Sequence, residues 1–218
     1  MALELTKKKI YTVFLPAILL GGLALFIQII RYEPLIPKVD TTKNNDATAQ
    51  FIIPILPADP IIGNKKSPVT VIAFGDFSCG GCKAQHELFL ELQNQFPNKV
   101  KMVWKGLPVN DFPYPSLDAL RYGSCANEQK KFTEFASYAY ANSTNLSIAT
   151  LSEIANEINL DRKDLDACLS SERPNQEIEI TKEIARTLNL QSVPTIFINN
   201  AQIEAPQSLE AWKQLLGL

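Results

Sequence analysis

The sequence predicts an α/β domain of roughly 155 residues behind a single N-terminal transmembrane helix. Three observations carry that expectation. An apolar run (Val69, Val71, Ile72, Phe74) leads into Cys79-Gly80-Gly81-Cys82 and then into a helical pattern. A second run, Lys99 to Lys105, alternates as a strand does and completes a strand–helix–strand unit. Far ahead of both, Ile10 to Ile30 carries no charged residue.

Residues 1–9 hold Lys7, Lys8 and Lys9. The apolar stretch 10–30 that follows would reach about 31 Å as a helix, enough for a bilayer core of about 30 Å. Behind it stands Arg31, nearly offset by Glu33. The positive-inside rule therefore puts residues 1–9 in the cytoplasm and the chain after Arg31 outside. A cleaved signal peptide is the rival reading, but it wants a shorter core and a small-x-small site close behind. The only such tripeptide nearby, Ala47-Thr48-Ala49, lies far beyond the apolar stretch, so an uncleaved anchor is expected.

Residues 31–63 read as a linker and a packing arm. Asp40 to Gln50 is polar without apolar period, as in a tether. Phe51 to Pro57 and Ile61-Ile62 are too apolar for free linker. They are expected to pack on the domain as an extended arm, a dimer or partner contact being the other reading. The domain proper is placed at 64–218.

The C-x-x-C motif gives the domain its chemistry. A strand fixes Cys79 at its carboxyl end, where open α/β sheets usually bind ligands. The helix opening there aims free backbone N–H groups and the positive end of its dipole at the sulfur. A thiolate so placed has its pKa lowered from about 8.5 into the range of about 3.5–7.5 and becomes nucleophilic near neutral pH. Cys82, one turn on, can attack a mixed disulfide from within the chain. Leu88, Leu92 and Phe96 predict the helix's packing face, and Pro97-Asn98 its end.

The single histidine, His86, reads as a partly exposed helix residue. With Cys79 and Cys82 it could offer zinc three ligands, but no fourth is marked, so no metal is assigned. Lys83, where covalent haem would need histidine, excludes haem attachment. The net charge of −2, with no basic patch, repeat or Gly-rich phosphate loop, argues against nucleic acid and nucleotides as partners.

Helical patterns fill the region from Tyr114 to Leu190, and Cys125 and Cys168 fall within them. In an oxidising compartment a structural disulfide between the two is expected. Buried free thiols, or a shuttle to the C-x-x-C pair, are the alternatives. Val193-Pro194-Thr195 leads into the strand Ile196-Phe197-Ile198. A proline at the start of a strand suits any edge, because it has no N–H to give a ladder.

In order along the chain, several segments resemble the DsbA-like branch of the thioredoxin superfamily, the extracytoplasmic disulfide oxidoreductases. They are the F-x-D-F-x-C-x-x-C run from Phe74 to Cys82, Leu107-Pro108, and Cys125-Ala126-Asn127-Glu128-Gln129 with Lys131-Phe132. Val193-Pro194-Thr195 and Ile198-Asn199-Asn200 complete the series. The likeness runs from about Asn64 to Leu218.

It implies a thioredoxin fold with a helical insertion at about 114–172. It also implies a cis Val193–Pro194 bond opposite Cys79, with both residues holding a client's backbone. The implied activity is that of a thiol:disulfide oxidoreductase that introduces disulfides into exported proteins, with Cys79 the nucleophile and Cys82 the resolving cysteine. Its domain would sit on the periplasmic, extracytoplasmic side of the inner membrane. A quinone-linked membrane oxidase would regenerate the disulfide, and no cofactor is required. The same site run backwards would be a reductase or isomerase fed by a membrane electron donor. The same groove without redox turnover would be a peptide-binding chaperone or a metal-delivery module.

Three departures from the family stand out. Both residues between the cysteines are glycine, where bulky, ring-bearing or proline residues are common. Ala73 stands six residues before Cys79, where a buried carboxylate is frequent. Ser192 precedes Val193-Pro194, where glycine is common.

Overall fold

The computed structural model describes residues 52–111 and 113–218. The stretch 10–30 expected to span a membrane, and the tether that follows it, lie outside the described residues. Among the described residues no helix is long and apolar enough to cross a membrane.

Five strands form one sheet: β1 (Ile61–Ile62), β2 (Val69–Gly75), β3 (Val100–Gly106), β4 (Thr195–Ile198) and β5 (Ala201–Ile203), in the order β1-β3-β2-β4-β5. β2 and β3 are parallel, which requires a crossover, and α1 (Gly80–Gln95) supplies it. Their register, Val69 with Val100 through Gly75 with Gly106, brings both strands to a common end. There the Leu107 N–H donates to the Gly75 carbonyl at 2.9 Å. β4 runs antiparallel to β2 on its other side.

Side chains alternate between the two faces, as the pleat requires. Val71, Ala73, Met102, Trp104 and Ile196 join Phe89 and Leu92 of α1 in the larger core. Ile72, Phe74, Val103 and Phe197 meet Ile184 and Ala185 of α6 (Arg173–Thr187) on the opposite layer.

Between β3 and α6 lie the four helices of the insertion: α2 (Ser116–Glu128), α3 (Phe132–Ala141), α4 (Ile148–Glu157) and α5 (Arg162–Leu169). Side chains that prefer N-cap positions start two of them. Ser147 Oγ accepts the Thr150 N–H ahead of α4, and Asp161 accepts the Asp164 N–H ahead of α5. Cys125 on α2 and Cys168 on α5 are disulfide-bonded, with Cα atoms 5.8 Å apart and both residues buried. Beside that bond an Arg121 guanidinium N–H donates to the Leu169 carbonyl. The chain closes on α7 (Leu209–Leu216), capped by Ser208 and ended by Gly217 in the left-handed conformation.

The apolar arm does more than pack on the domain. Ile53 is buried in the α6 layer, and its N–H donates to Asn200 Oδ1 at 3.0 Å. Ile61 and Ile62 join the sheet as an edge strand opposite Val103 and Met102. Between these points Asp59 meets Lys105 of β3 at 2.7 Å, both side chains being buried. A two-residue strand carries too little alternation to be read from sequence.

Candidate active site

Cys79 is the N-cap of α1, the position that Ser147, Asp161 and Ser208 hold in their helices. Its sulfur accepts the Cys82 N–H at 3.1 Å. An orphan amide of the first turn thus points at sulfur, and no acidic side chain in that turn competes with a thiolate for the positive end of the helix dipole. Cys79 and Cys82 are disulfide-bonded, with Cα atoms 5.2 Å apart. Cys79 is partly exposed and Cys82 buried.

The Val193–Pro194 peptide bond is cis. Val193 presents its carbonyl oxygen 3.6 Å from Cys79 Sγ. The Pro194 ring faces Gly81: a methyl group on that glycine would stand 3.0 Å from Pro194 Cδ and 3.9 Å from Cys79 Sγ. Thr195 closes the turn, its hydroxyl donating to the Ser192 carbonyl at 2.6 Å. The four residues picked out near the motif and the proline are thereby together at one end of the sheet. Cys125 and Cys168 sit apart from them, in the insertion.

Asp76 holds the turn that delivers Cys79. Its carboxylate is fully buried, and Oδ1 accepts both the N–H and the hydroxyl of Ser78 at 2.8 Å. Oδ2 accepts the Val109 N–H at 2.8 Å, which binds the loop after β3 to the redox turn. Phe77, between them, points into the core. It stacks on Trp104 at 4.8 Å and meets the edges of Phe135 and Tyr140, tying the turn to the insertion.

Beneath Cys82 the structure departs from the expected packing of α1. The buried stripe is Cys82, Gln85, His86, Phe89 and Leu92, with Leu88 and Phe96 only half-buried. His86 is therefore a core residue and not a partly exposed one. Its Nε2 lies 3.1 Å from Ser137 Oγ, and its ring lies 5.0 Å from that of Tyr140. Burial lowers its pKa to about 4, because water no longer stabilises the imidazolium. Gln85 is satisfied by the C-terminal segment: it donates to the Pro206 carbonyl at 2.7 Å and accepts the Trp212 indole N–H at 3.2 Å. Burial also raises the Tyr140 phenol, although the Trp104 indole donates to its oxygen at 3.3 Å.

Cys82, Gln85, His86, Trp104, Tyr140 and Pro194 surround a cavity of about 10 Å³. Sequence reasoning missed this cluster, although His86 four residues after Cys82 was a usable signal for a shared helix face. Asp76 two residues before Ser78 was likewise legible as a side-chain turn. Among the described residues no group of three His, Cys, Asp or Glu is placed to hold a metal ion.

The thioredoxin family model matches residues 56–217. Na(+)/H(+) antiporter NhaA 3 of Salinispora tropica is 27% identical over 169 residues, covering 77% of this chain and 26% of the antiporter. The chain thus spans about a quarter of the length of such relatives. Disulfide bond formation protein D of Bacillus subtilis is 23% identical over 177 residues, covering 75% of this chain and 77% of its own. The crystal structure of the thiol-disulfide exchange protein alpha-DsbA2 from Wolbachia pipientis superposes with a TM-score of 0.65 at 22% identity. It covers 73% of this chain and 86% of that one. With the family model spanning all five strands of the sheet, and the helical insertion set between β3 and α6, the chain belongs to the thioredoxin family.

Proposed function

We propose that the protein is a membrane-anchored, extracytoplasmic thiol:disulfide oxidoreductase that introduces disulfides into exported proteins. One observation carries the reading. The Cys79–Cys82 disulfide caps a helix N-terminus, with its more exposed sulfur 3.6 Å from the Val193 carbonyl that precedes Pro194.

A client thiolate attacks Cys79 Sγ and forms a mixed disulfide, and Cys82 departs as a thiolate with the electron pair of the S–S bond. A second client thiolate then attacks the client sulfur, and Cys79 leaves. The Cys82 N–H and the helix dipole stabilise the departing Cys79 thiolate, which speeds that step. Val193 and Pro194 hold the client backbone beside the sulfur. The names of disulfide bond formation protein D and of alpha-DsbA2 support this chemistry. The uncharged stretch 10–30 behind three lysines supports the anchor and its orientation. A quinone-linked membrane oxidase restores the disulfide, and nucleic acid has no part in the cycle.

The reduction potential and the redox state in intact cells test the direction of electron flow. An oxidase should have a potential nearer about −120 mV than about −270 mV. Alkylation of whole cells should find Cys79 and Cys82 mostly as disulfide. A low potential with the pair held as thiols would reverse the assignment to a reductase or isomerase. Cys79→Ser should abolish exchange, and retention of full activity in that variant would refute the enzyme reading.

A further inference from the structure

The cis-proline turn occupies one side of the redox turn only. Val193 and Pro194 lead into β4, which flanks β2 on one side, whereas β3 flanks it on the other. On the β3 side a cavity of about 260 Å³ opens beside the motif. Its walls are Ser78, the residue before Cys79, with Asn110 and Tyr114 of the loop after β3 and Ser143, Thr144 and Leu146 between α3 and α4. We propose that this cavity is a client subsite. It takes an uncharged polar side chain, an amide or a hydroxyl, standing within about three residues of the client's cysteine. The subsite rests on the exchange reaction proposed above and narrows the clients that the reaction serves.

The position follows from reach. Consecutive Cα atoms are about 3.8 Å apart, so the wall at Ser78 begins one residue from the nucleophile. A client bonded to Cys79 Sγ in extended form advances about 3.3 Å per residue. The flank that leads away from Val193 therefore crosses the cavity within its first few residues.

The walls are braced from within the protein. Asp76 Oδ1 accepts the Ser78 N–H and hydroxyl, and Oδ2 accepts the Val109 N–H, so one carboxylate holds two walls. The Ser116 N–H donates to the Asn110 carbonyl at 2.8 Å, and the Asn145 N–H to the Asn142 carbonyl at 2.8 Å. Leu146 is buried in the larger core and anchors the third wall. A site held in this way loses little freedom when it is filled.

The chemistry of the lining selects the occupant. No lining residue carries a charge. A charged client side chain would shed water there without gaining a counter-charge. An aliphatic one would displace water from hydroxyl and amide groups and return no hydrogen bond. Among the described residues the side chains of Asn110, Tyr114, Ser143 and Thr144 make no hydrogen bond to the protein, so they keep donors and acceptors for a ligand. The cavity has room for several waters, and an amide or hydroxyl can take their place.

The test uses the full-length oxidised protein and peptides with a single cysteine, carrying Asn, Leu or Glu one to three positions before or after it. Two peptide thiols reduce the Cys79–Cys82 disulfide and leave as the peptide disulfide, and acid quench with mass spectrometry reads the reduced protein. Dividing each rate by that of the same peptide with glutathione disulfide removes differences in thiol acidity. Asn should react about tenfold faster than Leu or Glu, on one flank of the cysteine only. Thr144→Val, at an exposed position, and Tyr114→Phe should each lower that ratio and together bring it close to one. Thr144→Ser should keep it. Because the ratio is taken within each variant, a general loss of activity cancels. No preference for Asn, an equal preference on both flanks, or a ratio unmoved by the double variant would overturn the subsite. Reaction of every peptide no faster than with glutathione disulfide would instead remove the oxidoreductase reading.

Discussion

Gly81 lies against Pro194 so closely that a methyl group on its Cα would meet the ring at 3.0 Å, whereas nothing stands within 4 Å of the same position on Gly80. The two glycines of the motif are therefore unequal. Ala in place of Gly stabilises a helix by about 0.5–1 kcal/mol. Gly80→Ala should show that gain as a higher urea midpoint. Gly81→Ala should not, because the new methyl displaces the proline ring, and it should slow exchange with an unfolded client. Equal gains in both variants would mean that the ring yields freely.

Asp76 satisfies three donors from inside the core. Asp76→Ala leaves them unpaired and should cost about 3 kcal/mol in chemical denaturation. Because the lost bonds connect the Cys79 turn to the loop at Val109, amide exchange should rise first at those two segments. Faster exchange spread evenly through the sheet would contradict a local brace.

The Lys105–Asp59 pair is fully buried on one side and 7% exposed on the other. Removing one partner strands the other charge in a dry site, at a cost of about 3–5 kcal/mol. Lys105→Met alone should be strongly destabilising, and Lys105→Met with Asp59→Leu should recover much of the loss. A double-mutant cycle with no coupling would show the pair to be incidental.

His86 gives stability a defined pH dependence. Its pKa falls from 6.5 when unfolded to about 4 when folded. Between these values the unfolded chain binds more protons, so unfolding gains as pH drops. The contribution is complete above about pH 6.5. It fades as the pH falls towards 4 and amounts to roughly 3 kcal/mol over that window. Urea unfolding across pH 4–7 should show this slope in the natural protein and a flatter one in His86→Phe. Identical slopes would place the titration elsewhere.

Much of the site was legible because its signals are local. A strand ending in C-x-x-C fixes where Cys79 caps α1, and the proline ahead of Ile196 marks the start of β4. The sheet beyond this unit was harder. Ile61-Ile62 is too short to show a period, and Lys105 looks like a solvated strand end until Asp59 reaches it from 46 residues away. The buried face of α1 was misjudged for a related reason. Gln85 and His86 are polar, and only partners distant in sequence (Pro206, Trp212, Ser137) let them occupy core positions. Hydrophobic spacing cannot reveal a polar group whose hydrogen bonds come from another part of the chain.

The strap formed by residues 53–62 has a mechanical consequence. Tension entering the chain ahead of Ile53 is resisted in turn by Asn200, by the ionic clasp at Asp59 and by the ladder of Ile61-Ile62. Ile53, the first of these grips, belongs to the α6 layer, and Cys82 belongs to the other. A tug on that end therefore meets the domain first in the α6 layer and only afterwards at Ile62, which packs in the layer of Cys82.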